Sequence, residues 1–147
     1  MLLKFQYIDT KHEFYAKAKK IRIACFFQGM NDAEKLINDN FEEDGYHLVC
    51  IGEKGIVLGT GRLNIENSTG IISQMAVLAK YQKLGIGMSI LTQLLEKCRA
   101  TELETIELNA RETAISFYEK MHFEVVGDKY PSHKTGILHQ KMVKKLK

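Results

Sequence analysis

The chain has 147 residues, the size of a single domain with one hydrophobic core. Apolar residues make up 45% and charged residues 27% of it, and no apolar run is long enough to cross a bilayer. The net charge of +3 lies largely in C-terminal lysines, and the N-terminus lacks the features of a secretory signal peptide. We therefore expect one domain over residues 1–147, cytoplasmic, with no nucleic-acid and no membrane partner.

The first third of the chain predicts a strand followed by two helices. Residues 3–8 alternate in polarity as a strand does, and Thr10 with Glu13 forms a capping-box pattern that predicts a helix to about Phe27. A second cap at residues 31–34 predicts a short helix. The apolar residues of the first helix fall on one face: Phe14, Ala18, Ile21 and Cys25.

A hairpin is predicted next. Residues 46–51 form an apolar run, residues 52–55 a turn, and residues 56–65 the returning strand. Gly59 and Gly61 within that strand indicate a bulge or a close approach of another element. A further turn at residues 66–70 leads into the central strand, which begins at Ile71.

The central strand is followed by a polar loop with two glycines and then by a long helix. The loop spans residues 82–87, and the helix carries a regular apolar face: Leu91, Leu94, Leu95 and Cys98. Amide groups at a helix start lack partners within the helix and attract anions, so this loop predicts a phosphate or pyrophosphate site. It lacks the Lys-Ser/Thr ending of a nucleotide P-loop and the third glycine of a dinucleotide fingerprint.

The last third alternates strands with a short helix. We predict a strand at 105–109, a helix at 114–121, a strand at 123–126, a polar loop at 128–136 and a final strand at 137–143. Hairpins early in the chain and alternation later predict an α/β (α+β) fold, a mixed sheet with helices on both faces.

Two motifs at a defined separation resemble those of the GNAT superfamily of N-acetyltransferases. The first is Gln-x-x-Gly-x-Gly after an apolar strand, seen at residues 82–87. The second is a Phe-Tyr pair, Phe117 and Tyr118, followed by a Lys-x-x-Phe segment that ends at Phe123. The order of elements before these motifs is also similar to the GNAT order. The resemblance implies a mainly antiparallel sheet of about six to seven strands and acetyl-CoA as co-substrate.

The resemblance also implies roles for individual residues. The fourth and fifth strands would splay apart, an amine would attack the thioester directly, and Tyr118 would protonate the leaving thiolate as the catalytic acid. Residues of the central strand, the glycine loop and the segment beyond it would bind the cofactor: Met75, Ala76, Val77, Gln82, Lys83, Leu84, Gly85, Ile86, Gly87, Met88, Asn109 and Tyr118.

Two positions depart from the family pattern. Arg111 stands where the family often has a cofactor-binding Asn, and Asn109 is the candidate substitute. His122 stands where the family has a glycine before the final Phe, so we expect His122 to adopt a positive φ.

The general base is not fixed by the sequence. Glu66 is the acidic candidate, and His133 and His139 are alternatives. His139 lies in a Gly-Ile-x-His-x-x-Met ending, and residues 22–26 form an Arg-x-x-x-Phe pattern, both of which resemble one branch of the GNAT proteins.

The function expected from these patterns is acetyl transfer to a primary amine of a small molecule or a peptide. The alternative is a non-catalytic acyl-CoA-binding or regulatory module. The acceptor pocket would be built by the first two helices, around Phe26, Phe27, Gln28 and Met30, and by the loop at residues 128–136. A homodimer formed through the last strand is left open.

The three cysteines lie far apart in apolar surroundings: Cys25, Cys50 and Cys98. Their odd number and spacing argue against a disulfide framework and against a metal site. We interpret them as reduced thiols, with Cys25 as a nucleophile kept as the alternative.

Overall fold

A computed structural model describes residues 2–147 and places eight strands in one sheet. The strands are β1 (Lys4–Ile8), β2 (Tyr46–Ile51), β3 (Val57–Glu66), β4 (Thr69–Val77), β5 (Thr105–Arg111), β6 (Glu124–Val125), β7 (Tyr130–Pro131) and β8 (Leu138–Lys145). The α-helices are α1 (Tyr15–Arg22), α2 (Ala33–Ile37), α3 (Ile86–Ala100) and α4 (Ile115–Glu119).

The sheet is mixed and mainly antiparallel, as expected. Its order is β1-β2-β3-β4-β5-β8-β6, with β7 also paired to β8. Among the strands of residues 2–147, only β4 and β5 pair in parallel, because α3 crosses over between them and returns the chain to the same end of the sheet.

Successive residues of β2 face two different hydrophobic cores. Leu48 and Cys50 pack with the apolar face of α3, whereas Val49 and Ile51 pack with α1. Helices therefore cover both faces of the sheet, because the two-residue period of a buried strand supplies an apolar surface to each side.

The capping box predicted for the first helix is wrong, although the helix itself forms. The helix begins at Tyr15, its preceding residue makes no side-chain cap bond, and a π-helical turn (Ile23–Phe27) extends it. The Thr10 hydroxyl instead donates to the carboxylate of Glu43 at 3.3 Å. A partner distant in sequence has replaced the local one.

The glycines of β3 have the role that their position predicts. A Cβ at Gly61 would lie 3.0 Å from the side chains of Ile90 and Leu94, so α3 could not pack as closely on any other residue. The pairing of β3 with β4 also shifts register between Thr60 and Arg62, which marks a bulge.

The final strand is flanked on both sides. β5 pairs with one edge of β8, while β6 and β7 pair with the other. The loop predicted at residues 128–136 thus contains a short strand, β7. Homodimerisation by added pairing at β8 would have to displace β6 and β7, so that edge does not offer the surface we expected.

The parallel pairing of β4 with β5 stops halfway along the strands. Partners run from Thr69 with Thr105 to Ile72 with Leu108, and no pairing follows. Gln74 in β4 has φ of 55°, an irregularity that turns the strand away from its neighbour. The implied splay of the fourth and fifth strands is therefore present. No helix within residues 2–147 is long and apolar enough to span a membrane.

Candidate active site

A cavity of about 480 Å³ opens where β4 and β5 separate. The separated strand ends form one wall. Phe26 and Phe27 from the π-helical turn, Tyr118 of α4, and the loop at residues 132–135 form the others. Of the residues predicted for an acceptor pocket, the two phenylalanines and this loop line the cavity, whereas Gln28 and Met30 do not.

The N-terminus of α3 presents unpaired amides beside this gap. Gly85 has φ of +85° and precedes the helix, and the first helical bond within it runs from the Ser89 N–H to the Gly85 carbonyl at 3.0 Å. The amides of Ile86, Gly87 and Met88 come before that bond and have no partner in the helix. With the helix dipole, they form a site suited to an anion.

Gly87 leaves room between α3 and the gap. A Cβ added there would lie 3.6 Å from the Phe117 ring and 3.9 Å from the Val77 side chain, so it would occupy the space between α4 and the end of β4. A chain-like ligand running along β4 to the helix N-terminus can use the space that glycine leaves empty.

The last residue of β4 directs its backbone toward the gap. The Leu78 N–H donates to the Leu58 carbonyl at 2.8 Å, so the Val77 N–H points to the opposite edge, where β5 has separated. The Val77 carbonyl accepts from the Gln82 side-chain amide at 2.9 Å and from the Cys25 thiol at 3.5 Å.

The three cysteines are reduced thiols, as predicted. Burial raises the pKa of Cys50 and of Cys98 to about 11. Burial also raises the pKa of the Cys25 thiol, which keeps it protonated near neutral pH. A protonated thiol is a poor nucleophile, so the structure does not favour Cys25 as one.

Tyr118 lies almost fully buried, with 8% of its surface exposed, at the cavity wall. Its ring makes edge contacts with Phe117, at 5.0 Å between centroids, and with Phe123, at 5.8 Å. Burial raises the pKa of Tyr118 to about 12, so its hydroxyl carries a proton throughout the physiological range.

A buried ionic network lies beneath the cavity. Glu42, 3% exposed, accepts two bonds from the Arg22 guanidinium, at 2.6 and 2.8 Å, and one from Arg62 at 2.7 Å. Arg62 also binds both carboxylate oxygens of Asp39, at 2.9 and 3.1 Å, and the Lys134 ammonium binds Asp39 at 2.8 Å.

The network also fixes the irregular part of β4. Arg22 Nε donates to the Gln74 side-chain oxygen at 3.1 Å, and Arg62 Nε donates to the Ser73 hydroxyl at 2.9 Å. In the sequence, Arg22 stands out only as part of the Arg-x-x-x-Phe pattern, and no local pattern indicates this network. The available signal was Arg62, the one charged residue in the predicted strand at residues 56–65.

Residues 12–146 match the family described as the acetyltransferase (GNAT) domain. The chain belongs to the GNAT acetyltransferase family. Bacillus subtilis YjcF, described as an uncharacterized N-acetyltransferase, is 32% identical over 138 residues, covering 92% of this chain and 92% of YjcF. B. subtilis YyaT, described as an uncharacterized protein, is 28% identical over 142 residues, covering 95% of this chain and 93% of YyaT.

The fold is also that of GNAT structures. The crystal structure of Escherichia coli ElaA covers 98% of this chain and 100% of ElaA with a TM-score of 0.79 at 16% identity. GNAT acetyltransferases use acetyl-CoA as co-substrate and act on amine acceptors. This GNAT chain is therefore an acyltransferase enzyme, which favours the enzyme over the non-catalytic module.

The structure does not place Glu66 near the gap between β4 and β5. Glu66 is exposed at the end of β3 and pairs with Thr69, at the start of β4. Met75 lies six residues further along β4, about 20 Å away by the rise of a strand. Glu66 falls at the wrong end because the turn that carries it joins β3 to β4 opposite the gap, and we do not retain it as the base.

The structure places the residues at both predicted departures from the GNAT pattern. His122 has φ of 67°, as expected for a residue in a glycine position. Asn109 lines the cavity from β5 and is exposed. Arg111 also lines the cavity, on the wall formed by Phe26.

The two histidine candidates of the GNAT site both line the cavity. The His139 Nδ1 lies 2.9 Å from the Ile137 carbonyl oxygen. Because that oxygen can only accept, Nδ1 carries the proton, and the lone pair of the neutral ring is on Nε2. His139 pairs across the sheet with Arg111, at the end where β4 and β5 have separated.

Proposed function

We propose that this enzyme transfers an acetyl group from acetyl-CoA to the primary amine of a small molecule or peptide by direct attack. One observation carries the proposal: the gap between β4 and β5 opens beside the unpaired amides of α3, with Tyr118 in its wall. Acetyl-CoA supplies the thioester that the amine attacks.

The binding role falls to backbone groups. The amides of residues 83–88 would hold the pyrophosphate at the helix N-terminus, whereas the Gln82 N–H already donates to the Ala79 carbonyl at 3.3 Å. The free edge of Met75, Ala76 and Val77 would pair with the pantetheine arm as an added strand does. Asn109, which lines the same gap, would add a polar side chain. The strand residues fit this role because the edge of β4 that faces β5 has no sheet partner beyond Ile72, and the first amides of α3 have no partner within the helix.

The chemical roles follow from protonation. The Val77 N–H would donate to the developing oxyanion, a contribution of about 3–4 kcal/mol for one such donor. Tyr118, with its pKa raised to about 12, would keep its proton until it gives it to the leaving thiolate. His139 Nε2 would accept the proton from the amine.

Asp39 is the carboxylate among the cavity-lining residues, and it does not suit the role of base. Burial alone would raise its pKa, but the bonds from Arg62 and Lys134 outweigh burial and lower it. A carboxylate with a lowered pKa that already accepts four bonds has little tendency to take another proton.

Calorimetry with acetyl-CoA tests the binding half of the proposal. We expect the wild type to bind and the double variant Gly85→Val/Gly87→Val to lose at least tenfold in affinity. Gly55→Val is the matched control, because Gly55 also has a positive φ of 70° but lies in the β2–β3 turn. Equal affinities in all three proteins would contradict the proposed pyrophosphate site at the N-terminus of α3.

Release of free thiol from acetyl-CoA tests the transfer half. A panel of primary amines and short peptides is mixed with enzyme and acetyl-CoA, and acetylated products are identified by mass spectrometry. We expect thiol release that depends on the amine. Tight acetyl-CoA binding with no product from any amine would contradict the proposed reaction and support the non-catalytic acyl-CoA-binding module.

A further inference from the structure

We propose that the acceptor is an amine that also carries a carboxylate, and that Arg111 binds this carboxylate. The inference rests on the proposed function and names its substrate class. It comes from a guanidinium that lines the cavity without an acidic partner.

Arg111 is the last residue of β5, on the sheet face that α1 covers. Its Nη2 donates to the Cys25 carbonyl at 3.1 Å, and its Cζ lies 5.1 Å from the centroid of the Phe26 ring. None of the ion pairs formed within residues 2–147 includes Arg111. A guanidinium has five N–H donors in a planar fork, so most of its donors remain for a ligand.

The charges around the cavity leave a positive excess. Four cations lie in or directly beneath it, whereas two carboxylates, Asp39 and Glu42, face them. The cations are Arg22, Arg62, Arg111 and Lys134. Three of them share the two carboxylates. Among residues 2–147, Arg111 is thus the member of this group that has no carboxylate bound to it, and a ligand carboxylate would supply that partner and reduce the excess from two positive charges to one.

The surroundings of Arg111 favour a ligand role over a purely structural one. Phe26 and the Cys25 carbonyl hold the side chain in place, which reduces the conformational entropy lost when a carboxylate binds. Both of these partners leave the guanidinium charge uncompensated. A preorganised, uncompensated guanidinium in a cavity is suited to paired recognition of two carboxylate oxygens.

An anionic group of the coenzyme is the alternative ligand for the Arg111 guanidinium. Gly87 at the N-terminus of α3 adjoins Phe117, which packs in the α3 core, whereas Arg111 contacts Phe26, which packs in the α1 core. The two positive sites are therefore on opposite faces of the sheet. We therefore assign the carboxylate that Arg111 binds to the acceptor and not to the coenzyme.

The experiment uses ω-aminocarboxylates of two to six carbons and the primary amide of each. The members of a pair differ in the charge of the carboxyl group and match closely in the reacting amine. Ligand-observed NMR measures binding, and product formation by mass spectrometry measures kcat/KM, for the wild type, Arg111→Gln and Arg111→Lys. Lys129→Gln is the control, because Lys129 pairs with Glu112 next to Arg111 but lies outside the cavity.

We expect the wild type to prefer at least one carboxylate over its amide by tenfold or more, in binding and in kcat/KM. Arg111→Gln should lose that preference, Arg111→Lys should keep part of it, and Lys129→Gln should keep it all. Acetyl-CoA affinity should stay within twofold in every variant, which also verifies folding. A large loss of acetyl-CoA affinity in Arg111→Gln alone would assign Arg111 to the coenzyme and overturn the inference.

The two proposals fail in different ways. Acetylation of amides as fast as carboxylates by the wild type would end the inference and leave the proposed function intact. Binding of carboxylates in preference to amides, lost in Arg111→Gln and accompanied by no acetylation, would support the anion site and contradict the proposed reaction.

Discussion

At the scale of the residue, Tyr118 differs from an ordinary core tyrosine in its place beside the gap. Replacing it by Phe keeps the ring packed between Phe117 and Phe123 and removes only the hydroxyl. We expect kcat to fall about 100-fold, the contribution of one general acid, with acetyl-CoA affinity unchanged within twofold. Steady-state kinetics and calorimetry measure the two quantities. Tyr46→Phe, an exposed tyrosine on β2, is the control, and a loss of affinity at unchanged kcat would contradict the acid role.

His139 is distinguished from His133 by its fixed tautomer. We expect His139→Phe, which keeps an aromatic ring against Tyr130, to lower kcat/KM at pH 7 by about 100-fold. The deficit should shrink as pH rises, because more of the amine is then already deprotonated. A pH–rate profile from 6 to 10 measures this. A deficit in His133→Gln instead of His139→Phe would move the base to His133.

At the scale of the element, glycine at the N-terminus of α3 lowers the stability of the helix but leaves space for the cofactor. An alanine at Gly87 would meet Phe117 only at ordinary contact distance, and Ala is favoured over Gly within a helix by about 1 kcal/mol. We therefore expect Gly87→Ala to raise the melting temperature and to weaken acetyl-CoA binding by about tenfold. Ser89→Ala, also in α3, should stabilise without this loss of affinity. Tighter binding of acetyl-CoA by Gly87→Ala would contradict a cofactor site at this position.

The elements were predictable from sequence where their signals are local. The apolar period of α3, the bounds of β2 and the turn between β2 and β3 follow from neighbouring residues alone, and all three are confirmed. The first cap failed because the Thr10 hydroxyl binds Glu43, a partner 33 positions away. Glu66 was assigned to the site for a related reason: the sequence shows which residues adjoin a strand, but not which end of it opens.

The ionic network shows the same limit over longer distances. Its residues come from α1, from the segment after α2, from β3 and from the loop before β8, and only the completed sheet brings them together. No short pattern links positions this far apart. The sequence also could not show that Arg111 lacks an acidic partner, because this depends on which charged side chains the fold brings close together.

At the scale of the whole molecule, one buried carboxylate, Glu42, joins α1 to β3 through its bonds with Arg22 and Arg62. Burial alone would raise the pKa of Glu42, but its bonds with Arg22, Tyr15 and Arg62 outweigh burial and lower the pKa to about 2 from an ordinary 4.5. Because the folded pKa is the lower one, the unfolded chain binds the proton more readily. Glu42 therefore stabilises the fold above about pH 4.5, and this contribution is lost as pH falls toward 2.

Urea unfolding across pH tests this coupling. The shift at Glu42 corresponds to about 3 kcal/mol, which the wild type should lose on acidification between pH 4.5 and 2, with Asp39 acting in the same direction. Glu42→Gln should lower the unfolding free energy at pH 7 by about 3–5 kcal/mol, because it leaves Arg22 buried without its main counter-charge. Its unfolding free energy should then fall less steeply below pH 4.5.

A surface pair provides the matched control for this prediction. Glu34 binds Lys19 at 2.9 Å but is 67% exposed, so Glu34→Gln should change the unfolding free energy by less than about 1 kcal/mol and leave its pH dependence parallel to the wild type. If Glu42→Gln gave the same small, parallel change, the buried carboxylate would not be the group that ties α1 to β3.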